Sequence, residues 1–141
     1  MAEANETARR RVLVVDDEES IRTFAERVLR DGGYDVVVAT DGPDALRIAE
    51  ANGPFDLFVI DVVMPKMQGD EVAARLRRSD PDARILYFTG FSDHLFTARN
   101  MLWEHESFVE KPATMKGLLE AVSLALFGHT HGPGLAGPRV S

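Results

Sequence analysis

Two hydrophobic patterns alternate along the chain: short unbroken apolar runs, and longer stretches in which apolar residues return every three or four positions. The first run, Val12 to Val15, stops at Asp16 and Asp17, after which Ile21, Phe24, Ala25, Val28 and Leu29 fall at helical spacing. Gly32 and Gly33 end that helix, and Val36 to Ala39 form a second run. Asp41, Gly42 and Pro43 open a helix carrying Ala45, Leu46 and Ala49. Leu57 to Ile60 make a third run and Val72, Ala73 and Leu76 a third helical stripe. Ile85 to Phe88 form a fourth run, and Phe108 with Val109 a short fifth. A helix is expected over Ser92 to Met101, and Thr114 caps a last one whose Met115, Leu118, Leu119, Val122 and Leu126 share one face.

Strand runs that are apolar throughout predict a parallel sheet covered on both faces, and five alternating β and α units give an open, doubly wound α/β fold. Its 141 residues and 45% hydrophobic content suit one domain, expected over residues 11–127. Residues 1–10 read as a flexible N-terminal segment and residues 128–141, rich in glycine and proline without apolar periodicity, as a flexible tail. The absence of cysteine removes disulfides, thiolate metal sites and cysteine nucleophiles, and fits a reducing compartment, so a cytoplasmic location is expected. The apolar stretch after Arg11 is far too short for a signal-peptide core or a membrane span. A net charge of −7 argues against a general nucleic-acid surface and directs attention to proteins and small ions as partners.

Polar residues follow four of the five apolar runs: Asp16 and Asp17, Asp61, Thr89 and Lys111. In an open parallel sheet these positions lie along one edge, where ligands bind. If the strand order is 2-1-3-4-5, the first and third strands are neighbours and the three aspartates meet. Carboxylates that close repel, so the cluster must raise some pKa values, stay widely solvated, or hold a cation. A hard divalent ion is the economical solution, and magnesium suits an all-oxygen set better than zinc. Thr89 offers a hydroxyl donor and Lys111 a point charge, both fitted to phosphoryl oxygens. Each residue also has a plainer role: an aspartate after a strand can cap the next helix, a threonine is common in strands, and a lysine can be solvated. Asp61 is harder to dismiss, because its carboxylate interrupts the apolar stretch from Phe58 to Met64.

Taken together, these residues resemble the receiver domains of bacterial two-component response regulators, the CheY-like family, over about Arg11 to Phe127. The resemblance rests on Val12 to Glu18, on Val59 to Pro65 with Gly69 beyond, on Thr89 with Gly90, and on Lys111 with Pro112. It implies a flavodoxin-like three-layer sandwich of strand order 2-1-3-4-5. It also implies that Asp61 is the phosphoacceptor, that Asp17, Asp61 and the Val63 carbonyl bind magnesium directly, and that Asp16 acts through water. Thr89 and Lys111 would contact the phosphoryl group, and Thr89 and Phe108 would form the switch. The implied partners are a sensor histidine kinase or histidine phosphotransfer protein and a downstream protein target, with neither nucleic acid nor membrane bound directly. Such a domain is a phosphoacceptor that assists its own modification more than a turnover enzyme. With little sequence beyond Phe127, a stand-alone receiver is expected; the other possibility is a piece of a hybrid kinase or longer regulator.

Some residues depart from the family pattern. Gly90 stands where many receivers have alanine, and Val63 and Phe91 are apolar where polar residues are common, so slow loss of phosphate is expected. Lacking a hydroxyl, Phe108 is expected to favour an inward side chain. Two other classes fit less well. A haloacid-dehalogenase-like phosphatase would carry its aspartates as DxD after the first strand, whereas Asp16 and Asp17 are adjacent. A flavodoxin-type flavin module would need a phosphate loop there instead of Asp16 to Glu19. His129 with His131 reads as an inert tail pair, Met101, Trp103 and His105 as core cover or partner surface, and Arg75, Arg77 and Arg78 as a solvated helix face.

Overall fold

The computed structural model of the chain describes residues 9–90 and 105–128. The expected helix over 92–101, together with Phe91, Met101, Trp103, His129, His131 and most of both expected flexible ends, falls outside the described residues. Five strands, β1 (Arg11–Val15), β2 (Asp35–Ala39), β3 (Leu57–Ile60), β4 (Ile85–Thr89) and β5 (Glu106–Glu110), pair in parallel in the order β2-β1-β3-β4-β5. Four helices are described: α1 (Glu19–Asp31), α2 (Gly42–Asn52), α3 (Gly69–Ser79) and α4 (Met115–Phe127). This is the flavodoxin-like α/β sandwich expected from the sequence.

Side-chain alternation along each strand builds the two cores. Leu13, Val15, Ile60 and Tyr87 face α2 and α3, meeting Ala45, Ile48, Val72 and Leu76. Val12, Val14, Val59 and Phe88 face α1 and α4, meeting Ala25, Leu29, Leu118 and Val122. Both faces are therefore buried, which is why β1 after Arg11 and the whole of β3 are apolar.

Local chemistry sets the helix ends. The Asp41 carboxylate accepts from the Asp44 N–H at 2.9 Å, with Pro43 in the first turn of α2. The Thr114 hydroxyl accepts from the Gly117 N–H at 2.9 Å. Gly33 (φ 97°) and Gly128 (φ 81°) take the left-handed turns that follow α1 and α4. Among the described residues, no helix is long and apolar enough to cross a membrane.

Three expectations are corrected. Met115 is 62% exposed, so it does not share the buried stripe of Leu118, Val122 and Leu126; it occupies the first turn, where the helix has not yet reached the sheet. Strand β5 is longer than its apolar pair Phe108 and Val109, because backbone register with β4 extends pairing from Glu106 to Glu110. Arg77 does not belong to a solvated face: its guanidinium is ion-paired with the fully buried Glu106 carboxylate, which also accepts from the Tyr87 hydroxyl at 2.9 Å. Arg75 keeps to the surface, paired with Glu71, and Arg78 is exposed.

The contrast along α4 is testable by urea denaturation. Leu118→Ala is expected to cost about 2–5 kcal/mol by opening a cavity, and Met115→Ala no more than about 0.5 kcal/mol.

Candidate functional site

Strand pairing places the site. The Asp16 N–H donates to the Ala39 carbonyl at 3.2 Å and the Asp61 N–H to the Val15 carbonyl at 3.0 Å. The Lys111 N–H donates to the Thr89 carbonyl at 3.0 Å. The sheet ladder thus runs one residue past each strand and fixes the backbone of the polar residues that follow. Since β1 and β3 are neighbours, Asp16, Asp17 and Asp61 offer carboxylate oxygens all within 4.8 Å of one another. Asp16 and Asp61 are buried while Asp17 is exposed. Thr89 is the last residue of β4 and fully buried. A recess of about 410 Å³ opens over the cluster, lined by Asp17, Glu18, Asp61, Val63, Gly90 and Lys111.

Lys111 is the counter-charge. Its ammonium lies 2.7 Å from Asp16 Oδ2 and 3.6 Å from Asp61 Oδ2, and 5.5 Å from the centre of the Phe88 ring. The Lys111–Pro112 peptide is cis. Asp16 is held from several sides: Oδ1 accepts from the Glu18 N–H at 2.9 Å, and the Arg22 guanidinium donates to its backbone carbonyl at 2.7 Å. Arg22 has no signature in the sequence beyond lying in the first turns of α1, and its part in the site is visible only in three dimensions.

These contacts do not fully compensate the buried charge. Burial, followed by the neighbouring Asp16 carboxylate, pushes Asp61 up to about 6, against the Lys111 ammonium and a hydrogen bond with Thr89 that pull it down. Burial also raises Asp16, offset by hydrogen bonds from Lys111 and the Glu18 N–H. Asp61 Oδ1 is buried without a hydrogen-bond partner. A buried anionic oxygen facing two further carboxylates is a donor set suited to a hard cation. Asp61 Oδ1 is open to such a contact, whereas both oxygens of Asp16 are already engaged.

The loop after Asp61 is sterically fixed. A Cβ at Gly69 would lie 2.0 Å from the Asp61 carbonyl oxygen, and the Gly69 N–H donates to the Val62 carbonyl at 2.7 Å. Lys66 adopts φ 73° in this loop and pairs with Asp41 at 3.1 Å. At Gly90, by contrast, a Cβ would lie 3.9 Å from Lys111 Cβ, an ordinary contact, so alanine at this position would fit. Phe108 is 39% exposed and not turned inward as the sequence suggested. His105 is exposed, and its carbonyl accepts from the Ile85 N–H at 2.9 Å.

A flavodoxin-like sheet that gathers three carboxylates and a lysine at the ends of β1, β3 and β5 defines an α/β protein with an acidic, cation-ready edge site. The chain belongs to the response regulator receiver domain family, whose model matches residues 12–123. It is similar to the alkaline phosphatase synthesis transcriptional regulatory protein PhoP of Bacillus subtilis, 39% identical over 103 residues. It is also similar to the sensor kinase CckA of Brucella abortus, 37% identical over 113 residues. These matches cover 73% and 79% of the chain but only 42% and 12% of the respective relatives. A crystal structure of the response regulator TrrA from Thermotoga maritima, in complex with Mg(2+)-BeF, is 33% identical with a TM-score of 0.73, covering 83% of this chain and 99% of that one.

Two outcomes follow from the geometry. Because the folded protein holds the Asp61 proton up to about pH 6 while the unfolded chain releases it near the ordinary value of 3.8, Asp61 ionisation costs metal-free stability as pH rises through this window. Asp61→Asn is therefore expected to stabilise the metal-free protein by about 1–3 kcal/mol at about pH 7.5, and hardly at all near about pH 3.5, in urea titrations. Gly69→Ala is expected to cost about 1–3 kcal/mol by forcing the Asp61 carbonyl aside, whereas Gly90→Ala stays within about 0.5 kcal/mol of the parent.

Proposed function

We propose that Asp61 accepts a phosphoryl group from a phosphohistidine on a sensor histidine kinase or histidine phosphotransfer protein, and that the modified domain then engages a downstream protein. The observation that carries this reading is the buried, unpartnered Asp61 Oδ1 on a carboxylate whose Oδ2 lies 3.6 Å from the Lys111 ammonium, with two further carboxylates gathered around it. In the transfer, an Asp61 oxygen forms the new O–P bond as the P–N bond to the donor imidazole breaks. Phosphoryl transfer asks mainly for alignment and charge neutralisation, so a fixed carboxylate and a fixed ammonium are the main requirements.

Asp17, Asp61 and the Val63 carbonyl would hold magnesium, with Asp16 acting through water. The ion would cancel the carboxylate repulsion and neutralise phosphoryl oxygens. The magnesium-containing complex of the similar TrrA supports this choice of ion. Lys111 would leave Asp61 for a phosphoryl oxygen, and the Thr89 hydroxyl would donate to another. Phe108, partly exposed and in register with Tyr87 at the centre of β4, would report the change by turning inward. The added charge then biases a two-state element. Val63, lining the recess, presents apolar surface where water must approach, which favours slow dephosphorylation.

Incubation with acetyl phosphate and magnesium, followed by intact mass, tests the reading. One phosphoryl group is expected on the parent and none on Asp61→Asn, with the adduct surviving in magnesium buffer for longer than seconds. An unmodified parent, or equal modification of the variant, would overturn the assignment of Asp61.

A further inference from the structure

A second concavity lies at the opposite end of the sheet, between α2 and α3. It has a volume of about 520 Å³, within the range of small-molecule sites. The apolar part of its lining is Leu46 and Ala49 from α2, Phe55 and Phe58 below, and Leu76 from α3. Phe55 and Phe58 are tilted at 59° with centroids 5.8 Å apart, giving an aromatic floor.

The charges at the rim are unbalanced. Glu50 and Asp80 both stand on it, as does Arg75, whose charge is taken up by Glu71. Among the described residues neither Glu50 nor Asp80 has a basic partner; Asp80 Oδ1 accepts only from the Asp82 N–H at 3.2 Å. The nearby guanidinium groups are already engaged. Arg75 is held by Glu71 at 2.8 Å, and Arg11, across the Phe55 ring at 4.4 Å, donates to the carbonyls of Asn52 and Pro54 at 2.6 and 2.7 Å. An aromatic floor beneath two uncommitted carboxylates complements a ligand with an apolar body and a positive head.

We propose that this groove is a binding site for a small amphipathic cation, an aryl- or alkylammonium compound whose hydrocarbon part packs on Phe55, Phe58 and Leu76 while its ammonium faces Glu50 and Asp80. The assignment does not depend on phosphoryl chemistry at Asp61, because no residue is shared between the two sites. Any influence of the ligand on the acidic edge would travel along α2 and α3. Both helices begin against the loop that follows Asp61, Gly69 at the Asp61 carbonyl and Gly42 at Met67.

Amide-resolved NMR titration of the full chain with 4-phenylbutylammonium tests the site, with 4-phenylbutanol and 4-phenylbutyrate as neutral and anionic counterparts. Shifts are expected to concentrate on Ala49, Gly53, Leu76 and Ser79 at millimolar ligand, with the cation strongest and the anion weakest. The surface double variant Glu50→Gln with Asp80→Asn should weaken the cation by roughly two- to fivefold and leave the alcohol unchanged. Ala49→Leu, which fills the groove, should weaken both. Dispersed or absent shifts with the cation, binding of the anion equal to that of the cation, or a double variant that binds the cation as the parent does would each overturn the proposal.

Discussion

Confining three carboxylates at the ends of two adjacent strands, without enough positive charge to satisfy them, is the constraint around which this molecule is organised. A parallel β1–β3 pairing makes the meeting unavoidable, and the apolar strands behind it bury Asp16 and Asp61 while Asp17 stays exposed. Lys111 relieves part of the repulsion through Asp16 and less of it at Asp61, where the distance is longer. Burial, and after it the repulsion that remains, appears as an elevated Asp61 pKa beside an oxygen with no partner. A site left electrostatically incomplete is suited to receive a cation, which supplies the positive charge the protein withholds.

Most of this was legible in the sequence, because the same residues both end the strands and build the polar edge of the sheet. Asp16, Asp17, Asp61, Thr89 and Lys111 each terminate a run, and a sheet turns such terminators into neighbours. The helix caps Asp41 and Thr114 and the terminating glycines were legible for a local reason: a carboxylate, a hydroxyl or a missing Cβ acts within three or four residues. Contacts made across the fold left no such trace. Nothing in the letters connects Arg22 to the Asp16 carbonyl, or shows that Gly69 must lie against the Asp61 backbone.

The region around β5 shows where hydrophobic pattern fails. An edge strand with glutamates at both ends does not look like a strand, yet its backbone pairs along its full length with β4. Glu106 is accommodated because Arg77 and Tyr87 meet its carboxylate, and a residue that reads as a surface cation becomes a partly buried tie between α3 and the sheet. Such a tie is worth little over a well-packed apolar pair, but removing one member would strand the other's charge. The same strand carries Phe108, so the position of the aromatic ring is set on a segment held by polar contacts as well as by packing.

Lys111 and Asp16 are separated by 95 positions in the chain. Closing so long a loop carries an entropic cost that local helices and hairpins do not meet. During synthesis the aspartates of β1 and β3 emerge well before the lysine that steadies them, and a nascent chain lacking β5 holds mutual repulsion without its remedy. The acidic edge therefore gains its counter-charge only when β5 has been added to the sheet.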